Sequence, residues 1–308
     1  VAYTTDDLVT DIQRDSYLPT AQRNFTPAQL LLIADQELMN GIAPMLVSLD
    51  QGFFKEDADQ TCVVGQAAYD FDRYAMWTKL RRLELVDTDG ETTIELDQIT
   101  DEQTGDHSSS NGRPRAFLFE SLRVILYPAP DAAYTLRQKI YRRPGRMVPT
   151  SSARQVQSVD TGTGVVTYTS AVPATFTSSS VHDFYRGNSP FRRIGTAISA
   201  TAVGGSTSTF STANAALLQA GDWVCMRDET VFPAVPLELA PHLKDLVIRS
   251  LARTQGDAQS YQIQRQEIID RARAEMVAPG NRSVGQPKRL SIPSHRLGLG
   301  GYRNRWSW

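Results

Sequence analysis

Pro236-Leu237-Glu238-Leu239-Ala240-Pro241-His242-Leu243-Lys244-Asp245-Leu246-Val247-Ile248-Arg249-Ser250-Leu251 is the stretch on which the fold turns. Leu239, Leu243, Leu246, Val247 and Leu251 recur at three-to-four spacing behind an opening proline and acid, which predicts a helix with one apolar face. A break at Gly256-Asp257 leads to a second helix running to about Met276, with Tyr261, Ile268, Ile269 and Ala272 inward. Pro279-Gly280 ends it.

Helices are also expected near residue 1. Thr5-Asp6-Asp7 reads as a helix N-cap with acids in the first turn, ahead of the apolar stripe Leu8, Val9 and Ile12. Thr26-Pro27-Ala28-Gln29 places a capping Thr, a proline at the first helical position and a Gln at the third. The helix it opens carries Leu30, Leu31, Ile33, Ala34, Leu38, Met45, Leu46 and Leu49, and Gly41 and Pro44 should bend it.

Between these ends the period becomes two. Leu80 to Val86, Thr92 to Leu96, Ala116 to Phe119, Leu122 to Tyr127 and Tyr134 to Tyr141 predict short antiparallel strands, with turns at Asp89-Gly90 and Pro128-Ala129-Pro130. Asp101 to Gly112 reads as a mobile loop. Residues 150–230 are rich in Ser, Thr, Ala and Gly. Strands are expected there at Gln155–Val159, Val165–Thr169, Ile194–Ala202, Thr207–Ser211 and Asp222–Met226, with Asp160-Thr161-Gly162-Thr163-Gly164 as a hairpin turn. The expected class is α+β. Residues 1–149 hold the N-terminal helices and β-hairpins, 150–230 an inserted small all-β domain, 231–278 the helix pair closing the helical domain, and 279–308 an extended C-terminal arm.

The 308 residues carry a net charge of −2, unevenly spread. Pro279 to Trp308 holds six Arg or Lys and no acid, which leaves −8 on the rest. Asp87 to Asp106 holds eight acids and no base: Asp87, Asp89, Glu91, Glu95, Asp97, Asp101, Glu102 and Asp106. The body should therefore repel nucleic acid. The acids lack the spacing of a twelve-residue calcium loop, so a solvated acidic face is the expected reading. No apolar run reaches the roughly 18 residues that span a bilayer, and Val1-Ala2-Tyr3-Thr4 lacks a signal pattern, so neither export by that route nor a membrane is expected.

Candidate chemistry is sparse. His107, His182, His242 and His295 have no second His or Cys at ligand spacing, and Cys62 and Cys225 read as reduced, buried thiols. No phosphate-binding glycine loop precedes a helix. No metal, cofactor or catalytic group is expected.

The arm is the exception. Gly298, Gly300, Gly301, Pro287 and Pro293 deny it periodicity, yet it ends in Tyr302-Arg303-Asn304-Arg305-Trp306-Ser307-Trp308. Such residues dominate the energy of protein interfaces, so the arm reads as a segment that orders against a partner; the alternative is a frayed terminus.

The order of pieces resembles the head-to-tail adaptor, or connector, proteins of tailed bacteriophages. It is carried by the N-terminal helix pair, Tyr74-Ala75-Met76-Trp77-Thr78-Lys79-Leu80-Arg81-Arg82-Leu83, and Lys139-Ile140-Tyr141-Arg142-Arg143-Pro144-Gly145-Arg146-Met147-Val148 before the β insertion. Gly221-Asp222-Trp223-Val224, the closing helix pair and the Arg/Trp-rich arm follow it. The resemblance implies a non-enzymatic ring, usually of twelve copies, in the virion neck, assembled in the host bacterial cytoplasm. The arm would reach the portal protein through Arg289, Arg296, Tyr302, Arg303, Arg305, Trp306 and Trp308. Tail or tail-tip (nozzle) proteins would meet the opposite side, and genomic DNA would pass through without specific binding on ejection. The insertion exceeds the compact members of that family. Asp87, Asp89, Glu91, Glu95, Asp97, Asp101 and Glu102 either line the channel or form an outward solvated loop.

Two readings compete with it. One is a virion-associated carbohydrate-binding or hydrolytic protein that uses the β insertion, with Asp183 or Asp222 as candidate acids. The other makes the arm a nucleic-acid binder through arginine and aromatic stacking.

Overall fold

The computed structural model describes residues 3–15, 25–49, 52–104, 111–188, 192–253 and 258–277. The chain is mixed α+β, with several largely antiparallel sheets, none closed. It begins with α1 (Thr5–Asp15) and α2 (Pro27–Glu37), a π turn at Leu38–Ile42, and α3 (Ala43–Leu49). Next come β1 (Lys55–Thr61), β2 (Ala68–Asp70), β3 (Ala75–Val86), β4 (Thr93–Glu95), β5 (Asp97–Gln98), β6 (Ala116–Glu120), β7 (Arg123–Tyr127) and β8 (Thr135–Arg142). After β9 (Arg146–Met147) follow β10 (Arg154–Asp160), β11 (Val165–Tyr168), β12 (Val181–Tyr185), β13 (Arg193–Ser199), β14 (Ala202–Gly204) and β15 (Thr207–Thr209). The short α4 (Thr212–Ala215), β16 (Trp223–Met226), β17 (Glu229–Thr230), α5 (Ala240–Arg253) and α6 (Ala258–Val277) complete it.

Helices from the two ends of the chain share one core, because neither set can bury its apolar stripe alone. Leu8 and Ile12 of α1 and Leu30, Leu31 and Ala34 of α2 meet Leu243, Leu246 and Val247 of α5 and Ile268, Ile269 and Ala272 of α6. Each fully buried Leu or Ile contributes roughly 1.5–3 kcal/mol. Polar contacts brace the edges: the ion pairs Lys244 to Asp15 at 2.5 Å and Arg265 to Glu37 at 3.0 Å, and His242 Nε2 2.9 Å from the Glu275 carboxylate. The expected break at Gly256-Asp257 and the inward placement of Tyr261 lie outside the described residues.

Local signals explain the helix starts, with one correction. Thr26 and Gln29 form the expected capping box: the Gln29 N–H donates to the Thr26 hydroxyl at 3.3 Å, and the Thr26 N–H donates to the Gln29 carbonyl oxygen at 2.8 Å. For α1 the cap is Thr4, not Thr5. The Asp7 N–H donates to the Thr4 hydroxyl at 3.3 Å, and the Asp7 carboxylate accepts from the Thr4 N–H at 2.8 Å. Thr5 is buried instead, its hydroxyl donating to the Val148 carbonyl at 2.5 Å and its N–H to the Val231 carbonyl at 2.8 Å.

The bend expected from Gly41 and Pro44 is realised as the π turn. The Ala43 N–H donates to the Leu38 carbonyl, one residue further back than in an α-helix, so the ladder is already widened where Pro44 brings no N–H. Gly41 faces the Arg265 guanidinium, which would lie 3.2 Å from any Cβ there. Pro27–Leu49 is one continuous helical segment, long and apolar enough to cross a membrane by length and composition, which corrects the expectation that no stretch approaches that length. Its apolar window is 56% buried inside the protein, as befits a central core helix.

The middle of the chain forms two four-stranded sheets, β1-β8-β3-β4 and β2-β7-β6-β5. Leu83, Leu85 and Leu136 of the first pack against Tyr69, Phe117, Val124 and Leu126 of the second. The buried face of β8 is Leu136, Gln138, Ile140 and Arg142, so two polar side chains point inward. Gln138 is satisfied there, accepting from the Asp72 N–H and donating to the Asp70 carbonyl, both at 3.1 Å. Leu122, expected in a strand, instead forms the β6–β7 turn with Ser121; both have positive φ, at +62° and +48°. Such a two-residue turn suits the twist of a hairpin, and Leu122 is left exposed.

Residues 150–230 form a seven-stranded sheet, β13-β12-β16-β10-β11-β15-β14. Val156, Val166, Tyr168, Phe176, Phe184, Phe210 and Val224 make its core. The stretch expected as one strand, Ile194–Ala202, is divided between β13 and β14, and Ser211 caps α4 rather than ending β15. At the β10–β11 turn the Asp160 carboxylate accepts from the Gly162 N–H at 2.9 Å and the Thr163 hydroxyl at 2.7 Å. Gly164 has φ +75°, and a Cβ there would stand 2.1 Å from the Phe210 carbonyl oxygen.

Candidate interaction surfaces

The arm residues singled out by sequence, Arg289, Arg296, Tyr302, Arg303, Arg305, Trp306 and Trp308, lie outside the described residues. Description stops at Val277, the end of α6, where Met276 still packs on the helical core.

The acidic segment divides by role. Asp87 pairs with Arg113 at 2.7 Å and Glu95 with Arg82 at 2.7 Å. Asp89 accepts from the N–H groups of Glu91 and Thr92, each at 2.9 Å, and from the Thr92 hydroxyl, so these bonds hold its carboxyl below the usual range. These three stabilise the β3–β4 hairpin and its surroundings. Glu91, Asp97, Asp101 and Glu102 are exposed, the last two in a single 3-10 turn capped by Thr100. The rest of the loop expected to be mobile falls largely on residues 105–110, outside the described ones.

A charge network that sequence reading did not detect joins the β sheets to the insertion. Arg142 of β8 donates to Glu56 of β1 at 3.0 Å and to Asp228, beside β17, at 2.8 Å. Arg193 of β13 donates to the other oxygen of Glu56 and to Asp183 at 3.3 Å. Asp183 also accepts from the N–H groups of Ala197 at 2.8 Å and Asp228 at 3.0 Å. The guanidinium groups of Arg142 and Arg227 lie over the Tyr74 ring, at 4.9 and 4.8 Å from its centroid. The one sequence hint was Arg142 at an inward position of the β8 alternation, where Leu136 and Ile140 are apolar.

Internal bonding decides how Asp183, within this network, and Asp222, outside it, are used. Asp183 is 0% exposed and its acceptor positions are taken by Arg193 and two N–H groups. Asp222 accepts from Arg186 at 2.9 Å, the Gly187 N–H at 3.0 Å and the Gln219 N–H at 2.9 Å. Both carboxylates hold strands and turns together, without access to a substrate.

His182 and the two cysteines are likewise internal, whereas His242 is half-buried beside Glu275. His182 stacks edge-on against Phe176 and Phe210, with Nε2 2.8 Å from the Ser180 hydroxyl, and burial lowers its pKa to about 4. Cys62 and Cys225 are buried free thiols, both pushed up by burial. His107 and His295 lie outside the described residues.

Several large apolar side chains are exposed. Leu32 is 55% exposed, and Leu49, Phe53 and Trp77 are also exposed. Two clefts flank the strip where α2 meets residues 143–147, one holding Trp77 and Met39, the other Leu32 and Pro173. Asp35 lines both and accepts from the Met147 N–H at 3.0 Å; burial raises its pKa to about 7.

No family model and no curated protein matches the chain.

Proposed function

We propose that this chain is a structural, non-enzymatic head-to-tail adaptor of a tailed bacteriophage, forming a ring under the portal that joins the capsid vertex to the tail. In this reading residues 231–278 close the helical domain begun within 1–149, residues 150–230 decorate it, and residues 279–308 are the arm that engages the portal. Tail proteins bind another face of the ring, and DNA passes through the centre.

The observation that supports the reading is the single core made from Leu8 and Ile12 near one end of the chain and Leu246 and Ile269 near the other. It ties both ends to one helical body, so the basic, aromatic segment after Val277 departs from a fixed platform. One arm loses much of its contact energy to ordering, but a ring presents many at once and linked binding multiplies. Exposed Glu91, Asp97, Asp101 and Glu102 suit a surface past which DNA slides, since like charges repel.

The test is the mass of the purified chain alone and with portal rings, by light scattering or native mass spectrometry. A discrete ring, or a fixed number of copies added per portal, supports the adaptor reading. A monomer indifferent to portals rejects it.

A further inference from the structure

Beside the charge network lies a cavity of about 370 Å³, walled by β1, the Arg142–Gly145 segment, Tyr185 and the residues ahead of α5. We propose that it is a binding site for a small phosphate monoester, with the phosphate held by Arg143, Arg192, Lys55 and the Tyr185 hydroxyl and the organic group against Phe53 and Phe54. The inference stands apart from the adaptor reading.

Charge makes the first argument. Five cations line the cavity, Lys55, Arg142, Arg143, Arg192 and Arg193, against one acid, Glu56. Arg142 and Arg193 are already neutralised by Glu56, Asp183 and Asp228. Lys55, Arg143 and Arg192 are exposed and make no ion pair among the described residues, so the site has surplus positive charge where a dianion would sit. Guanidinium forks match the oxygen geometry of phosphate.

The second argument is a hydroxyl that faces the cavity with no protein partner among the described residues. Tyr185 is 94% buried by its 6% exposure, yet its hydroxyl bonds to no group among the described residues and lines the cavity. Its ring is packed into the core while its oxygen is reached from the cavity, which leaves the hydroxyl available to a group seated there. Burial pushes its pKa up, so it remains a donor at neutral pH. Gly145 keeps the space open, because a Cβ there would stand 2.9 Å from the Tyr185 oxygen. The Arg142 Nε is buried and unpartnered in the same wall. Phe53 and Phe54, ring centroids 4.8 Å apart, provide the apolar side that distinguishes a monoester from free phosphate.

The test titrates inorganic phosphate and phenyl phosphate into the full chain by calorimetry, using wild type, Tyr185→Phe and the double variant Arg143→Gln/Arg192→Gln. Phenyl phosphate should bind more tightly than phosphate, and each variant should weaken it about tenfold. Tyr185→Phe should not lower the melting temperature of the free protein, since the lost hydroxyl has no internal partner, which separates a binding role from a structural one. Absence of binding up to about 10 mM, or equal affinity in the variants, overturns the proposal. So does displacement of phenyl phosphate by an oligonucleotide lacking terminal phosphates, which would mark a nucleic-acid groove.

Discussion

Glu56 and Arg193 stand 137 positions apart in sequence and form an ion pair across the boundary between the β1 sheet and the insertion. Glu56 uses its other oxygen for Arg142, so one carboxylate serves two largely buried guanidinium groups. Removing one partner of such a pair leaves uncompensated buried charge. Glu56→Gln is expected to destabilise the protein by about 3–5 kcal/mol, read as a lower urea midpoint. A double-mutant cycle with Arg142→Met should recover much of that loss, and full additivity would show that the two groups are not coupled.

Stability should depend on pH through two groups of opposite sign. His182 is fully buried and its folded pKa of about 4 lies below the usual 6.5. Its contribution is therefore complete above pH 6.5 and declines as pH falls towards 4, by a few kcal/mol (~3). Asp35 runs the other way: its pKa rises from 3.8 to about 7, so its contribution is complete below 3.8 and is lost as pH rises through 7. Over pH 4–6.5 the two slopes oppose each other. Urea unfolding of Asp35→Asn should show stability climbing with pH in that window more steeply than wild type; parallel curves would refute the pairing.

Gly164→Ala should damage the insertion more than an ordinary turn substitution. Its φ of +75° and the Phe210 carbonyl 2.1 Å from the added Cβ force the β10–β11 hairpin to move. The expected cost is at least about 1–3 kcal/mol. Gly90→Ala is the control, with positive φ but nothing within 4 Å of its Cβ, and should cost less. Calorimetric melting of the two variants gives the ranking.

Deleting residues 287–308 should leave a folded body, because every described member of the helical core precedes Val277. Its circular dichroism and melting should match the full chain, while its attachment to portal rings is lost. Trp306→Ala with Trp308→Ala should weaken attachment more than Arg289→Ala, since the indoles bury more apolar area. Retained attachment by the truncated chain would refute the role of the arm.

The parts of the fold legible in sequence are those written locally. The Thr26/Gln29 box, the Leu243-Leu246-Val247 stripe and the alternation of β8 each lie within a few residues of their consequence. Strand β1 was not legible: Lys55-Glu56-Asp57-Ala58-Asp59-Gln60-Thr61 shows no apolar alternation, as an edge strand whose Asp59 meets Arg137 at 2.8 Å does not need it. The two-residue parallel pair of β9 and β17 is too short for any pattern. The Glu56–Arg142–Asp228 and Arg193–Asp183 contacts, and the cavity beside them, come from segments that only tertiary structure brings together. The arm was legible only as composition.

Thr5 bonds through its hydroxyl to Val148 and through its N–H to Val231, the two points where the chain goes into the insertion and comes out of it. A ribosome delivers residue 231 about 10–45 seconds after residue 5, at roughly 5–20 residues per second for the stretch between. Throughout that interval Leu8 and Ile12 lack the α5 and α6 side chains that will cover them. Helix α1 is thus synthesised well before the helices that complete its packing. Completion of this body is a closing event, timed by the synthesis of α5 and α6, and nascent α1 is a natural client for chaperones until then.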